Sequence, residues 1–241
     1  MARVVVLGTG TGVGKTYVST TFVRELARAG AASVLGLKPV ESGVSDDPAG
    51  TDAQLLADAS FHVKPPTPLR RHSFREPVSP HLAARAAGTT IKVADLVEWV
   101  VTNEDDCPLP YVTTLISQYS RWSVIETAGG AFSPLSDTTT CADLAEALEP
   151  CLWMLVGRDA LGTLHDVAAT TRALKRVPDV VVLSAPEAPD ASTGTNANEM
   201  LRLGLAARVI ELSRGGSRPL ANLATRWMTK HSRDDSPPTK S

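Results

Sequence analysis

A short apolar run, Val4 to Leu7, leads straight into GTGTGVGKT, Gly8 to Thr16, and then into Tyr17 to Ala29, whose apolar positions Val18, Phe22, Val23 and Leu26 share one helical face. Strand, glycine loop and helix in that order form a cradle for phosphate. Glycines let successive backbone N–H groups turn toward an anion, the helix N-terminus adds partial positive charge, and Lys15 can reach the β- and γ-phosphates of a nucleotide. Thr16 would offer its hydroxyl to Mg²⁺. The usual motif places four residues between its first glycine and the glycine of GKT; here five separate Gly8 from Gly14, so the loop is one residue longer. An ordinary glycine turn with a surface lysine is the alternative, and the strand before, the helix after and the GKT triplet weigh against it.

The rest of the chain repeats this alternation. Apolar runs too short for helices, Ser33 to Leu37, Ser123 to Ile125, Leu152 to Val156 and Val180 to Leu183, lie between segments of helical period at about 15–29, 51–59, 79–87, 91–103, 141–149, 163–176 and 196–206. Ser79 followed by Pro80 is a helix start. The pattern predicts an α/β fold: a doubly wound, mostly parallel sheet with helices on both faces, of the phosphate-loop NTPase type, with ligands at the carboxyl ends of the strands. Proline-rich stretches at Lys64 to Pro68 and Pro186 to Pro189 read as loops. One domain over 1–212 is expected, followed by a polar tail over 213–241, disordered or loosely packed.

Composition removes several function classes. A chain of 241 residues, 43% hydrophobic and 21% charged, can bury one substantial core. A net charge of -2 with no basic stripe argues against nucleic acid as a partner. The three cysteines, Cys107, Cys141 and Cys151, lack metal-ligand spacing and fit unpaired thiols in a reducing compartment. No stretch approaches the ~20 apolar residues that span a bilayer, nor is there a signal-peptide core, so a cytoplasmic location is expected.

Two further strand ends carry chemistry. LKPVESG places Lys38 and Ser42 where such a sheet presents ligands; a lysine ending a buried strand needs an anion, the alternative being a snorkelling surface lysine. In SVIETAGG, Glu126 follows an apolar strand, and a carboxylate there suits a Mg²⁺–phosphate complex.

Together GTGTGVGKT, GLKPVESG, TDAQLL (Thr51 to Leu56), EPVSPHLAA (Glu76 to Ala84), IETAGGAFSPLSD and LGTLHD (Leu161 to Asp166) resemble the dethiobiotin synthetase family from residue 3 to about 176. The resemblance implies an ATP- and Mg²⁺-dependent ligase that closes the ureido ring of dethiobiotin from 7,8-diaminononanoate and CO₂ (or bicarbonate). Carried over by position, it makes Lys38, Lys15 and Thr11 the catalytic set and gives Mg²⁺ the ligands Thr16, Asp52 and Glu126. The nucleotide is implied on Gly12, Val13, Gly14, Lys15, Thr16 and Tyr17, on Glu126, Thr127, Ala128 and Gly129, and on Ser184 and Ala185. Ser42, Gly162, Thr163, Leu164 and His165 are implied for the substrate, the last four from a second subunit, which makes a homodimer. From the residues alone, Thr163 with Asp166 reads as well as a plain capping box.

The chain also departs from the family pattern. Gly12 stands where some members carry glutamate, Thr127 replaces the first glycine of EGAGG, and His165 takes an asparagine's place. Ser184 and Ala185 replace the Asn-Asp that reads adenine; a serine hydroxyl cannot reproduce an amide's paired donor and acceptor, so ATP or another NTP is the expectation.

Trp99, Trp122, Trp153 and Trp227 read as packing residues. His81 reads either as a pocket residue or as part of a capping turn. Glu104, Asp105 and Asp106 read as a solvated loop. A switch or partitioning-type ATPase on the same fold is the rival class, and its usual early loop lysine is replaced by Gly10. A small-molecule kinase would want an arginine-rich lid, for which Arg70 to Arg75 is a faint candidate.

Overall fold

A computed structural model describes residues 1–45, 49–62, 70–107 and 121–234, with 232–234 described in their backbone alone. The strands are β1 (Ala2–Gly8), β2 (Ser33–Leu37), β3 (Val40–Ser42), β4 (His72–Phe74), β5 (Arg121–Glu126), β6 (Leu152–Arg158), β7 (Val180–Ser184) and β8 (Val209–Leu212). The helices are α1 (Lys15–Arg28), α2 (Asp52–Ala59), α3 (Pro80–Ala86), α4 (Val93–Asp105), α5 (Cys141–Ala147), α6 (Thr163–Ala173), α7 (Asn196–Arg202) and α8 (Arg218–Asp234). Six strands form one sheet in the order β2-β5-β1-β6-β7-β8, every pairing parallel, while β3 and β4 pair separately.

Alternation along each strand explains why helices cover both faces. Val5, Leu7, Leu37, Ile125, Trp153 and Leu155 point to one side, where they pack with residues of α3 to α7 such as Ala83, Leu96, Leu144, Val167 and Met200. Val4, Val6, Val34, Val124, Met154 and Val182 point to the other, against Val18, Phe22 and Leu26 of α1, Leu56 of α2 and Leu220, Leu223 and Trp227 of α8. This is the doubly wound sheet the alternation implied.

Three expectations need correction. The stretch after Ser213 is not loose throughout: α8 buries Leu220, Leu223, Ala224 and Trp227, and Trp227 meets Phe22 edge-on at 5.5 Å between ring centroids. Its i, i+3, i+4, i+7 apolar stripe covers a sheet face that would otherwise stay wet, which outweighs the polar composition around it. Residues 235–241 lie outside the described residues, as does the Lys64 to Pro68 linker. Glu104 is no solvated loop residue: α4 runs on to Asp105, and Glu104 is 4% exposed. Arg3 and Ser123 are register partners on β1 and β5, and both bond its carboxylate (Arg3 Nη2 2.7 Å, Ser123 Oγ 2.5 Å). Finally, β3, β4 and β8 were not foreseen as strands.

Trp122, Trp153 and Trp227 are buried and Trp99 packs on the core, as packing residues should. Pro186 to Pro189 lies in the loop after β7. Cys107, Cys141 and Cys151 are free thiols. Among the described residues no helix is long and apolar enough to cross a membrane.

Candidate functional site

Parallel register brings the three sequence motifs to one end of the sheet. Leu37 pairs with Ile125, so Lys38 and Glu126, the next residue of each strand, sit side by side, and Val6 of the glycine-loop strand pairs with Glu126 itself. Thr16 lies in the first turn of α1, directly after the loop.

Gly14 caps α1 at φ 92, a left-handed conformation that L side chains rarely adopt, and the first helical bond runs from Val18 N–H to Gly14 O. The N–H groups of Lys15, Thr16 and Tyr17 are therefore the helix's free donors, and no acidic residue in the first turn competes for them. Lys15 is buried and curls back over the loop, its Nζ 3.4 Å from Gly10 O. A Cβ on Gly14 would stand 2.4 Å from Ser184 Oγ. Gly14→Ala is thus expected to add about 1–2 kcal/mol of backbone strain and to push the loop off β7. A lower Tm together with weaker binding of ADP by calorimetry checks this; unchanged binding would contradict it.

Lys38 is the hub of a buried ionic cluster. Its Nζ donates to Glu126 Oε1 at 2.6 Å, pairs with Asp52 Oδ2 at 2.8 Å and reaches Thr127 O at 3.4 Å. Thr16 Oγ1 lies 2.7 Å from Asp52 Oδ1 and 3.0 Å from Glu126 Oε1, and its single proton serves one of them at a time. Burial works against the charge on Lys38, yet Glu126 and Asp52 together outweigh it and hold the pKa above that of an ordinary lysine. Burial also pulls on Asp52, but Lys38 and the Thr16 hydroxyl hold its carboxyl below the usual range. Lys15 goes the other way: burial, with Lys38 nearby, lowers its pKa. Lys15 is thus a buried cation short of counter-charge, whereas Lys38 already has two carboxylates against it.

The carboxylate oxygens also fit a hard cation. Glu126 Oε2 is buried with no hydrogen-bond partner, and Oε1 and Asp52 Oδ1 converge on the Thr16 hydroxyl, an all-oxygen set of the kind Mg²⁺ takes alongside phosphate and water.

Thr11, Lys15, Thr16, Lys38, Ser42 and Asp52 line one cavity of about 650 Å³, whose wall also includes Glu126, Ala128 and Gly129. A neighbouring cavity of about 750 Å³ is lined by Val13, Arg158, Ser184 and Ala185, and Gly12, Gly14 and Tyr17 border both. The sequence-predicted phosphate, lysine and carboxylate residues are therefore brought together, and the base-site residues stand beside them. Ala185 N–H already donates to Leu212 O at 3.0 Å, and of the pair only Ser184 carries a polar side chain. Thr127 is buried, donating from Oγ1 to Val6 O.

Gly162, Thr163, Leu164 and His165 line neither cavity within the single chain. The capping-box reading is corrected: Gly162, at φ 99, is the N-cap with no side-chain bond, and Thr163 is the first helical residue, its buried Oγ1 unpartnered. His81 Nδ1 sits 3.0 Å from Ser79 Oγ, the capping-turn arrangement.

Reading by motif missed Glu41, Arg158 and Arg214. Arg158 donates to Gly12 O at 2.9 Å, and Arg214, paired with Glu187 at 3.2 Å, borders both cavities. Arg158 and Arg214 have no local signal, since each is placed by the sheet rather than by its neighbours. Glu41, 6% exposed, had one: a carboxylate between Lys38 and Ser42 in the KPVESG strand end. Of the arginines at 70–75, Arg70 pairs with Glu41 rather than with open solvent.

A family model described as an AAA domain matches residues 2–212. The chain is 36% identical over 209 residues to the ATP-dependent dethiobiotin synthetase BioD of Anaeromyxobacter dehalogenans (strain 2CP-C), covering 84% of this chain and 86% of that protein. It is 35% identical over 196 residues to the BioD of Caulobacter vibrioides (strain NA1000 / CB15N), covering 79% and 83%, and 34% identical over 239 residues to that of Methylobacterium nodulans, covering 92% and 98%. Among solved structures, HypB from Helicobacter pylori in complex with nickel superposes at a TM-score of 0.50 with 15% identity, over 100% of this chain and 91% of that one, a likeness of fold alone. With the glycine loop, KPVESG and ETAGG meeting at one end of a doubly wound sheet and relatives of this identity over most of the chain, the protein belongs to the dethiobiotin synthetase family of ATP-dependent ligases.

Proposed function

We propose that this chain closes the ureido ring of dethiobiotin from 7,8-diaminononanoate and CO₂ at the expense of ATP, in biotin biosynthesis. The observation that supports it most is the convergence of Lys38, Asp52, Glu126 and Thr16 within hydrogen-bonding distance beside Lys15 and the free end of α1. The diamine takes up CO₂ as a carbamate. A carbamate oxygen then attacks the γ-phosphorus, releasing ADP and forming a carbamic-phosphoric anhydride. The second amine attacks the carbamoyl carbon, expels phosphate and closes the ring.

The middle step sets an anion against an anion, so positive charge must already be in place where the phosphoryl group transfers. Lys15 and the N–H groups of residues 15–17 bind the terminal phosphates. Lys38, held protonated, faces the carbamate, with Thr11 and, as a substrate contact, Ser42 in the same cavity. Thr16, Asp52 and Glu126 would hold Mg²⁺, which when bound supplies further neutralisation of phosphate charge. The family resemblance adds a homodimer in which Gly162, Thr163, Leu164 and His165 of one subunit receive the substrate's carboxylate over the other's site; sedimentation equilibrium tests the dimer. A cytoplasmic location belongs to the same reading.

One assay tests the core: incubate the protein with ATP, Mg²⁺, bicarbonate and 7,8-diaminononanoate, and look for dethiobiotin by mass. Dethiobiotin formed with stoichiometric ADP supports the reading, and ATP turnover indifferent to the diamine refutes it. The same assay addresses the base. With Ser184 and Ala185 in place of Asn-Asp, comparable turnover with CTP or GTP is expected, and strict dependence on ATP would show that other groups read adenine.

A further inference from the structure

We infer that Glu41 is a positioning residue for Asp52, acting together with Arg70; the inference rests on the proposed ligase reading and deepens it. Glu41 is the carboxylate of KPVESG, on the short strand β3, and its side chain is nearly shut off from solvent. Its Oε1 accepts the backbone N–H of Asp52 at 2.6 Å, its Oε2 that of Ala53 at 3.3 Å, and Arg70 Nη1 reaches the same Oε2 at 3.2 Å. The next donor of α2, Gln54 N–H, is taken by Thr51 Oγ1 at 3.2 Å. Three consecutive N–H groups of a short helix are thus held from two directions.

The two caps differ in what they touch. Thr51 satisfies the N–H of Gln54, whose side chain bonds Asp58 at 2.8 Å and not the ionic cluster. Glu41 fixes the backbone of the very residue whose carboxylate meets Lys38 at 2.8 Å and the Thr16 hydroxyl at 2.7 Å. A negative group is also favourable at a helix N-terminus. Arg70 approaches from β4's side of the small sheet and supplies the counter-charge that lets a carboxylate stay buried there. Partners that orient metal-binding or catalytic carboxylates in this way typically change affinity or activity by about 10–100-fold when removed.

The experiment compares Glu41→Gln with Thr51→Ala in the full chain. Glutamine fills the same space, but its amide offers only one acceptor oxygen, so Ala53 N–H and Arg70 face a donor. Two readouts are independent of ligase activity: hydrogen exchange of the peptide spanning Asp52 to Leu56, and Mg²⁺ titrated calorimetrically onto the protein with ADP. Expected for Glu41→Gln are faster exchange at Asp52 and Ala53, Mg²⁺ affinity lower by about tenfold, and kcat lowered more than KM for the diamine is raised. Expected for Thr51→Ala is a lower Tm with Mg²⁺ affinity and kcat unchanged. Equal effects of the two variants at matched loss of Tm, or unchanged exchange and Mg²⁺ affinity in Glu41→Gln, would overturn the positioning role. If the wild-type chain makes no dethiobiotin, the ligase reading fails alone, because exchange and titration still report where Asp52 is held.

Discussion

Lys38→Ala is expected to lower turnover by roughly 10²–10³ while the far-ultraviolet circular dichroism spectrum stays native. Lys38 is the only cation in direct contact with Glu126 and Asp52 among the described residues, and in the proposed mechanism Lys15 is already engaged with the terminal phosphates. The same substitution strands a fully buried carboxylate. In metal-free buffer the variant should therefore also lose about 3–5 kcal/mol of stability, the range found when one member of a buried pair is removed. Added Mg²⁺ should restore part of the lost Tm in the variant and none of the lost turnover. Lys38→Met, which keeps the stem's packing, separates volume from charge and should be as inactive. Full turnover in a natively folded Lys38→Ala would contradict the assigned role.

Glu104→Ala is expected to destabilise the fold by about 3 kcal/mol, seen as a Tm lower by roughly 6–12 °C, with kcat unchanged at 25 °C. Alanine suits the helix, so the loss arises from what Glu104 holds. Arg3 of β1 would lose its bidentate partner, and Ser123 of β5 would keep a buried hydroxyl with nothing to receive its proton. Both strands are gripped near their starting ends, while the residues proposed for phosphate chemistry lie at or beyond their finishing ends, so stability and turnover should separate. An unshifted Tm would mean that water replaces the carboxylate at no cost. Glu104→Gln, retaining one acceptor, should fall between the two.

Periodicity carried the fold to the level of layers. Each of the five expected strands and seven expected helices has its counterpart, because strands buried on both faces read as unbroken apolar runs and helices as stripes. What escaped was set by partners remote in sequence. β3 and β4 are three residues each and become strands only by pairing Val40 with His72. Glu104 looked solvated beside Asp105 and Asp106, and only the register of Arg3 with Ser123 shows what it serves. The stripe Leu220, Leu223, Ala224 and Trp227 was legible, but the polar residues around it obscured it.

The site divides in the same way. Lys15, Thr16, Lys38 and Glu126 could be read from strand ends, since sheet geometry alone sends those positions to one edge. Thr163 could not be placed as a cap, because Gly162 adopts the left-handed turn and takes the N-cap position itself. Glu41 was visible as a misplaced charge, yet its connection to Asp52 depends on a helix that returns to β3 from eleven residues further on.

The family match stops at residue 212, and α8 begins six residues later with its apolar side already committed to Phe22 and its neighbours. Tyr17, in the first turn behind the glycine loop, ties its hydroxyl to Ser213 O and Gly216 O in the segment between. The border of the family model is therefore not the border of the packed fold. A polypeptide trimmed at residue 212 would leave a greasy wall of α1 bare and its anchoring tyrosine adrift.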